Sequence, residues 1–346
     1  MPRRLPLLSR WDGLAWLALG LLLVFALSLF VGRYPAPAFL SPARLATDEL
    51  AQRLVWNLRL PRLLAAVLMG MSLAAAGTVF QMLFGNPLVE PGFLGVSQGA
   101  AFGAALSIIV LGNGPLRNGP PFPHGAWLVQ AGAALFACLG LALSYALARR
   151  ARFGGWVLRL VLAGIAVSAL FSAGLGALKY IADPLRQLPE ITFWLLGGLW
   201  SITWAQVYAI LPATLIALYV MYRMRWRLNL LSLDDATAFS LGLAPGRERA
   251  LLLAAAVAAT ASVVSVSGMV GWLGLIVPHI ARRLFGADAR RALPAAMMVG
   301  GLFAVVCDDL ARTLLAGEIP IGILTSLAGA SFFIVMMLTR NIRAER

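Results

Sequence analysis

The sequence predicts an all-α, polytopic integral membrane protein of about ten transmembrane helices. Three observations lead there. The 346 residues are 61% hydrophobic and 12% charged, about half the charge of an ordinary soluble domain. Mean hydropathy is +0.86. The apolar residues fall in uncharged runs, and a helix crossing a hydrocarbon layer of roughly 30 Å needs about 20 of them. Backbone polar groups at that depth must pair internally, so the runs read as helices. A large soluble enzyme, a disordered chain and a secreted disulfide scaffold are excluded.

The first run, Gly13–Val31, is uncharged over 19 residues. That is longer than a signal-peptide core, and no small-residue cleavage pattern precedes Arg33, so it reads as a retained span near 13–31. The second span, near 63–84, stops at Asn86-Pro87. The third, near 92–112, stops at Gly112-Asn113-Gly114-Pro115. Gly119-Pro120-Pro121 delays the fourth to 125–148, and spans near 160–178 and 200–222 follow. Ala250–Ala281 is long for one crossing and short for two; Gly268, Gly271 and Gly274 interrupt its middle. Arginine placement arbitrates, because cytoplasmic loops are basic. Two crossings (250–267 and 270–285) put 19 Lys and Arg inside and 9 outside, whereas one crossing gives 13 and 15. Spans near 292–311 and 319–339 complete a single transmembrane domain over 1–346, with both termini cytoplasmic and a cytoplasmic loop at 223–249.

The net charge of +14 comes from 27 arginines and one lysine, Lys179, against 14 carboxylates. The arginines sit between apolar runs rather than on a soluble fold, so nucleic acid is not an expected partner. Cys138 and Cys307 lie inside apolar runs and read as small hydrophobes. One loop departs from the orientation rule: the outer segment 33–62 holds Arg33, Arg44, Arg53, Arg59 and Arg62.

Small residues four apart mark close helix contacts in lipid. Gly70, Ala74 and Gly77 form such a face, and so do Gly164, Ser168, Ser172 and Gly176. The second series reads either as tight packing or as the weakly polar wall of a passage. Intramembrane carboxylates are scarce. Glu90, Asp308, Asp309 and Glu318 lie near span ends, with Asp308 and Arg312 at the spacing of a helical ion pair. An ion-coupled carrier usually needs carboxylates at the midplane. Nor does the chain bind nucleotide, because a P-loop needs a Lys after Gly and Lys179 follows Leu178. His124 and His279 have no metal-ligand neighbours, so no metal site is expected, and no catalytic constellation is present. Energy must come from another chain. In the loop, residues 230–242 read as a short helix capped by Ser232 or Asp234 and ended by Gly242. Its Leu233, Phe239 and Leu241 are apolar, which suits either an interfacial helix or a docking helix for a cytoplasmic partner.

Four stretches then carry a resemblance, in order along about residues 55–340. They are Arg59-Leu60-Pro61-Arg62; Gln81 through Asn86-Pro87-Leu88-Val89-Glu90-Pro91-Gly92-Phe93-Leu94-Gly95; Gly271-Trp272-Leu273-Gly274-Leu275-Ile276-Val277-Pro278-His279; and Asp308 through Arg312 with Glu318-Ile319-Pro320-Ile321-Gly322. The chain resembles the permease subunits of bacterial ABC importers for iron–siderophore complexes, haem and vitamin B12. The resemblance implies a homodimer in the inner membrane with its passage along the dimer axis. It also implies two cytoplasmic ATPase subunits that hold ATP and Mg, a periplasmic binding protein, and no cofactor bound by this chain. Arg59, Arg62 and Arg312 match the positions that receive acidic residues of the binding protein. Asp234, Asp235, Phe239, Leu241 and Gly242 match the loop seated on the ATPase. Asp234 and Phe239 stand where the family often has Gly and Arg; Trp272 and Ser331 replace a frequent Phe and Pro. The implied cargo is a metal chelate, ferric siderophore first and haem or cobalamin next. Molybdate or tungstate and a secondary carrier are the alternatives.

Overall fold

A computed structural model describes residues 12–34, 38–113, 124–315 and 317–338. The expected cytoplasmic tails and most of the loop between the third and fourth spans lie outside these residues. Helix α1 spans Asp12–Ser28. A two-residue antiparallel ladder follows, Val31–Gly32 (β1) with Ala38–Phe39 (β2). The outer segment predicted as a loop is partly helical. Ser41 caps α2 (Pro42–Thr47), and the Asp48 carboxylate accepts the Leu50 and Ala51 N–H groups to start α3 (Glu49–Leu54). One wide turn, Val55–Arg59, carries the chain into α4 (Leu60–Phe84). Gly85, with φ at 59°, ends α4 in the left-handed conformation that glycine tolerates.

After a short turn at Pro91–Leu94 come α5 (Val96–Asn113), α6 (His124–Arg150) and α7 (Trp156–Ile181). The remaining helices are α8 (Gln187–Leu196), α9 (Trp204–Leu231), α10 (Asp235–Ser240), α11 (Pro245–Ser267), α12 (Leu273–Phe285), α13 (Ala289–Thr313) and α14 (Ile321–Leu338). Among the described residues, seven helical segments are long and apolar enough to cross a membrane: Glu49–Phe84, Ala126–Arg150, Trp156–Ile181, Trp204–Leu231, Pro245–Ser267, Ala289–Thr313 and Ile321–Leu338. Gly13–Ser28 and Val96–Val110 are shorter apolar helices.

Two expectations change. The helix expected over 270–285 begins only at Leu273 and has 13 residues, a length of about 20 Å that cannot cross the layer alone. It starts abreast the last third of α4, where a Cβ on Gly77 would strike the Gly274 carbonyl. Helix α9 outruns its predicted end at 222 by nine residues. Arg223, Arg225 and Arg227 have long stems that carry their charge to water while the backbone remains helical.

Helix α4 is the axis of the core. It packs most extensively on α13, with α11, α12 and α9 around it. A Cβ on Gly70 would overlap the Gly300 carbonyl, and one on Gly300 would meet Ala74 Cβ at 2.6 Å. The predicted Gly70-Ala74-Gly77 face is therefore where α13 and α12 approach α4. Pro278 removes the N–H that would bond the Gly274 carbonyl four residues back. The amide of Gln81 on α4 replaces it, donating to the Gly274 and Leu275 carbonyls at 3.3 and 3.1 Å, while its own oxygen accepts from Arg282. The proline break in α12 is thus satisfied from α4.

Candidate functional site

Where α4 begins and α13 ends, α4 supplies Arg62, the preceding turn Arg59, and α13 supplies Asp308, Asp309 and Arg312. Arg62 donates to Asp308 at 2.8 Å and to both Glu318 oxygens at 2.9 and 2.8 Å. Arg312 stands 3.2 Å from the second Asp308 oxygen, the pair read from their spacing, and also binds Asp309 and the Ser28 and Val31 carbonyls. Ser28 donates to Asp309. Arg59 donates to the Leu29 carbonyl at 2.9 Å and, among the described residues, forms no ion pair. The three arginines do converge, but they do not present an open face: each is only 7–8% exposed. Their positive charge is largely spent inside the chain, on acids that the sequence placed only near span ends. The pairing of Arg62 with Asp308 and Glu318 joins residues some 250 positions apart, and no local spacing signals it.

Inward from there, a cavity of about 950 Å³ is lined by Asp183, Arg186, Gln187, Glu190, Trp194 and Gln206, among others. Helix α8, absent from the predicted outer loop, supplies Gln187, Glu190 and Trp194. A second cavity of about 340 Å³ lies between Glu90, Ser97, Gln98, Ser168, Thr260 and Gly271. Here the Glu90 carboxylate accepts the Trp272 N–H at the start of α12. Partial positive charge at a helix N-terminus favours that pairing. Trp272 has φ of 70°, uncommon for a bulky residue, and Gly329 leaves its ring the space to sit.

The series Gly164, Ser168, Ser172 and Gly176 does not share one face. Gly164 is buried and packs against the Phe93 carbonyl; Ser168 lines the second cavity; Ser172 and Gly176 are exposed. Four residues overshoot a 3.6-residue turn by about 40°, so twelve residues rotate the series by roughly 120°. Packing and passage readings thus apply to different members.

Asn86 accepts the Leu88 N–H through its side chain and, with Pro87, makes an exposed turn after α4. Gly92 lies beside Ser97, and a Cβ on Gly95, whose φ is 79°, would meet Val167 at 2.8 Å. His279 sets its ring edge-on to Phe332, 6.1 Å between centroids. Pro320 leads into α14, where Gly322 allows the Leu196 carbonyl of α8 to approach.

At the opposite end of the chain's helices, Asp234 caps α10. It accepts from the Thr237 N–H at 2.9 Å and from its hydroxyl at 2.6 Å. These hydrogen bonds hold its carboxyl below the usual range. Asp235 pairs with Arg249 of α11. Gly242, φ 82°, turns the chain so that the Leu243 N–H reaches the Ala238 carbonyl. Ala238 is fully buried, so α10 is fixed, yet Phe239 is 73% and Leu241 54% exposed. On the same side, Asp288 caps α13, accepts from Asn229 at 2.7 Å and pairs with Arg290. Chiefly because Arg290 hydrogen-bonds it, its carboxyl is lowered to about 2.

Comparison with known proteins matches residues 20–339 to the FecCD transport family. The chain is 35% identical over 328 residues to the molybdate import system permease of Haemophilus influenzae, covering 93% of this chain and 94% of that one. It is 37% identical over 336 residues to the hemin transport system permease of Yersinia pestis, covering 94% and 96%. A solved structure of an ABC transporter assigned to the metal-chelate type, in an inward-facing conformation, superposes with a TM-score of 0.85. It is 36% identical over 95% of this chain and 99% of that one.

Proposed function

This chain belongs to the FecCD transport family, a multi-pass membrane permease of ABC importers, and from that premise we propose that it moves a metal chelate inward by alternating access. The work is driven by ATP hydrolysed in two cytoplasmic ATPase subunits, with a second copy of this chain completing the passage. The observation that carries the energetic half is α10. Its buried Ala238 and its Asp235–Arg249 pair fix the helix, while Phe239 and Leu241 offer apolar surface that a partner chain would cover. Closure of an ATPase pair seated there would pull on α9 and α11, which α10 joins.

Ferric siderophore is the first cargo, haem or cobalamin the next. The cavity of about 950 Å³ is far larger than a tetrahedral oxyanion requires, and its lining sets two carboxylates, Asp183 and Glu190, against one arginine, Arg186, a balance that does not favour a bare anion. Molybdate or tungstate import is the second reading; it is favoured by the name of the Haemophilus influenzae relative. A periplasmic binding protein delivers the cargo to the outer end. Arg59 is the arginine with charge left for its acidic residues, because Arg62 and Arg312 are already paired.

The test is uptake into proteoliposomes that hold the permease, its ATPase subunits and the binding protein encoded beside it. Ferric siderophore uptake that needs internal ATP and ignores ion gradients is expected. Uptake of molybdate alone would replace the cargo assignment. Uptake that survives ATP removal but collapses with an ion gradient would replace the mechanism.

A further inference from the structure

At the cytoplasmic end of α6 and α7 lies a third cavity, of about 300 Å³, lined by Arg149, Arg159, Arg249, Trp156, Tyr145 and Asp235, among others. Three guanidinium groups face it against one carboxylate, and that carboxylate is already paired to Arg249. Arg249 is only 6% exposed. One of its terminal nitrogens binds Asp235 and the other the Leu231 carbonyl at 2.9 Å. Its guanidinium lies over the Trp156 ring, 4.7 Å from the centroid. Its Nε is buried with no acceptor. Arg159 repeats the pattern: a terminal nitrogen donates to the Ala151 carbonyl at 2.8 Å, and its buried Nε has no acceptor.

A charged donor left buried without an acceptor is costly, and a buried site that holds two of them is incomplete without an anion. Arginine forks suit phosphate oxygens, which accept several N–H bonds at once. The aromatic face beneath Arg249 holds one of the two guanidinium planes in place before any ligand arrives.

We infer that this cavity binds a phosphate-bearing anion through Arg149 and Arg159, beside the guanidinium of Arg249 that Trp156 braces. Two sources supply that chemistry at a cytoplasmic membrane surface: the headgroup of an anionic phospholipid and soluble phosphate. Exposed Leu147 and Leu158 beside the rim give an acyl chain somewhere to lie, and basic pockets on the cytoplasmic side of membrane proteins favour acidic headgroups. The site also touches the coupling element, since Arg249 holds Asp235 at the start of α10. An anion in the cavity sets a counter-charge beside the side chain that anchors that helix.

The full-length permease, purified in detergent, is compared with Arg149→Gln/Arg159→Gln, which spares the Arg249–Asp235 pair and Trp156. In the lipid arm, each protein is passed through nanodiscs of phosphatidylglycerol and phosphatidylethanolamine, or of phosphatidylcholine alone. Retained lipid is then read by native mass spectrometry. In the soluble arm, inorganic phosphate is titrated against thermal unfolding. Phosphatidylglycerol retained by the wild type and held roughly tenfold more weakly by the variant supports the site with a lipid ligand. Stabilisation of the wild type alone by inorganic phosphate supports it with a soluble one. No binding in either arm, or binding undiminished in the variant, overturns it. Should the double variant fail to fold, Arg149→Gln alone, changed at an exposed side chain, gives the same readout.

Discussion

Arg62 meets Asp308, a fully buried carboxylate, on one side and the half-exposed Glu318 on the other. Removing one partner of a buried pair strands the other charge, at about 3–5 kcal/mol. Asp308 keeps Arg312 as a second partner, so Arg62→Ala is expected to lower thermal stability in detergent by less than that, about 1–3 kcal/mol, whether or not the binding protein is present. Arg59→Gln is the sharper probe of docking, because Arg59 holds only a carbonyl. It should weaken binding-protein affinity about tenfold, the scale of one lost charged contact, with unfolding unchanged; wild-type affinity would remove Arg59 from the docking surface. Asp288 gives a pH dependence. Its carboxyl, lowered to about 2 from an ordinary 3.8, contributes stability that is complete above pH 3.8 and lost as pH falls through about 2. The stability difference between wild type and Asp288→Ala should therefore be flat at neutral pH and shrink toward pH 2 in thermal unfolding of the detergent-solubilised chain.

At the scale of elements, α10 and α12 illustrate opposite limits of what sequence shows. The stop at Gly242 and the exposed Phe239 and Leu241 were legible, because turns and amphipathic spacing act within a few residues; between the two cap candidates the structure uses Asp234, and residues 230 and 231 belong to α9. Leu241→Asp is expected to leave ATP hydrolysis running while abolishing uptake; normal uptake would reduce α10 to an interfacial helix. The half-length of α12 was not legible. Its apolar run and glycines suit a short span or a broken one, and the choice depends on Glu90 and Gln81, which reach it from other segments. Gln81→Leu, which leaves the Gly274 and Leu275 carbonyls without their donor, should cost about 1–3 kcal/mol by thermal unfolding. Helix α8 was hidden for another reason. Its ten residues include Glu190 and Pro189, too short and too polar to register as a span.

For the whole molecule, orientation is the claim open to direct test. With Cys138 replaced by Ser to remove the exposed native thiol, Ser240→Cys in intact cells should resist a membrane-impermeant thiol reagent and label only after lysis. The adjoining α10 residues are open enough for that readout. Labelling in intact cells would invert the topology and place the proposed ATPase contact on the wrong side.

Membrane residence, the order of the helices and the cap and stop signals around residues 234–242 were determined by the sequence alone. They follow from run length, charge placement and turn chemistry, all of which are local or summed along the chain. Only the tertiary structure decided that Arg62 and Arg312 are spent on internal carboxylates, that α12 begins only part-way along α4, and that Gly164 packs while Gly176 stays open. Each of those outcomes depends on which distant segment fills the space beside a residue. Spacing along the chain carries no record of that neighbour.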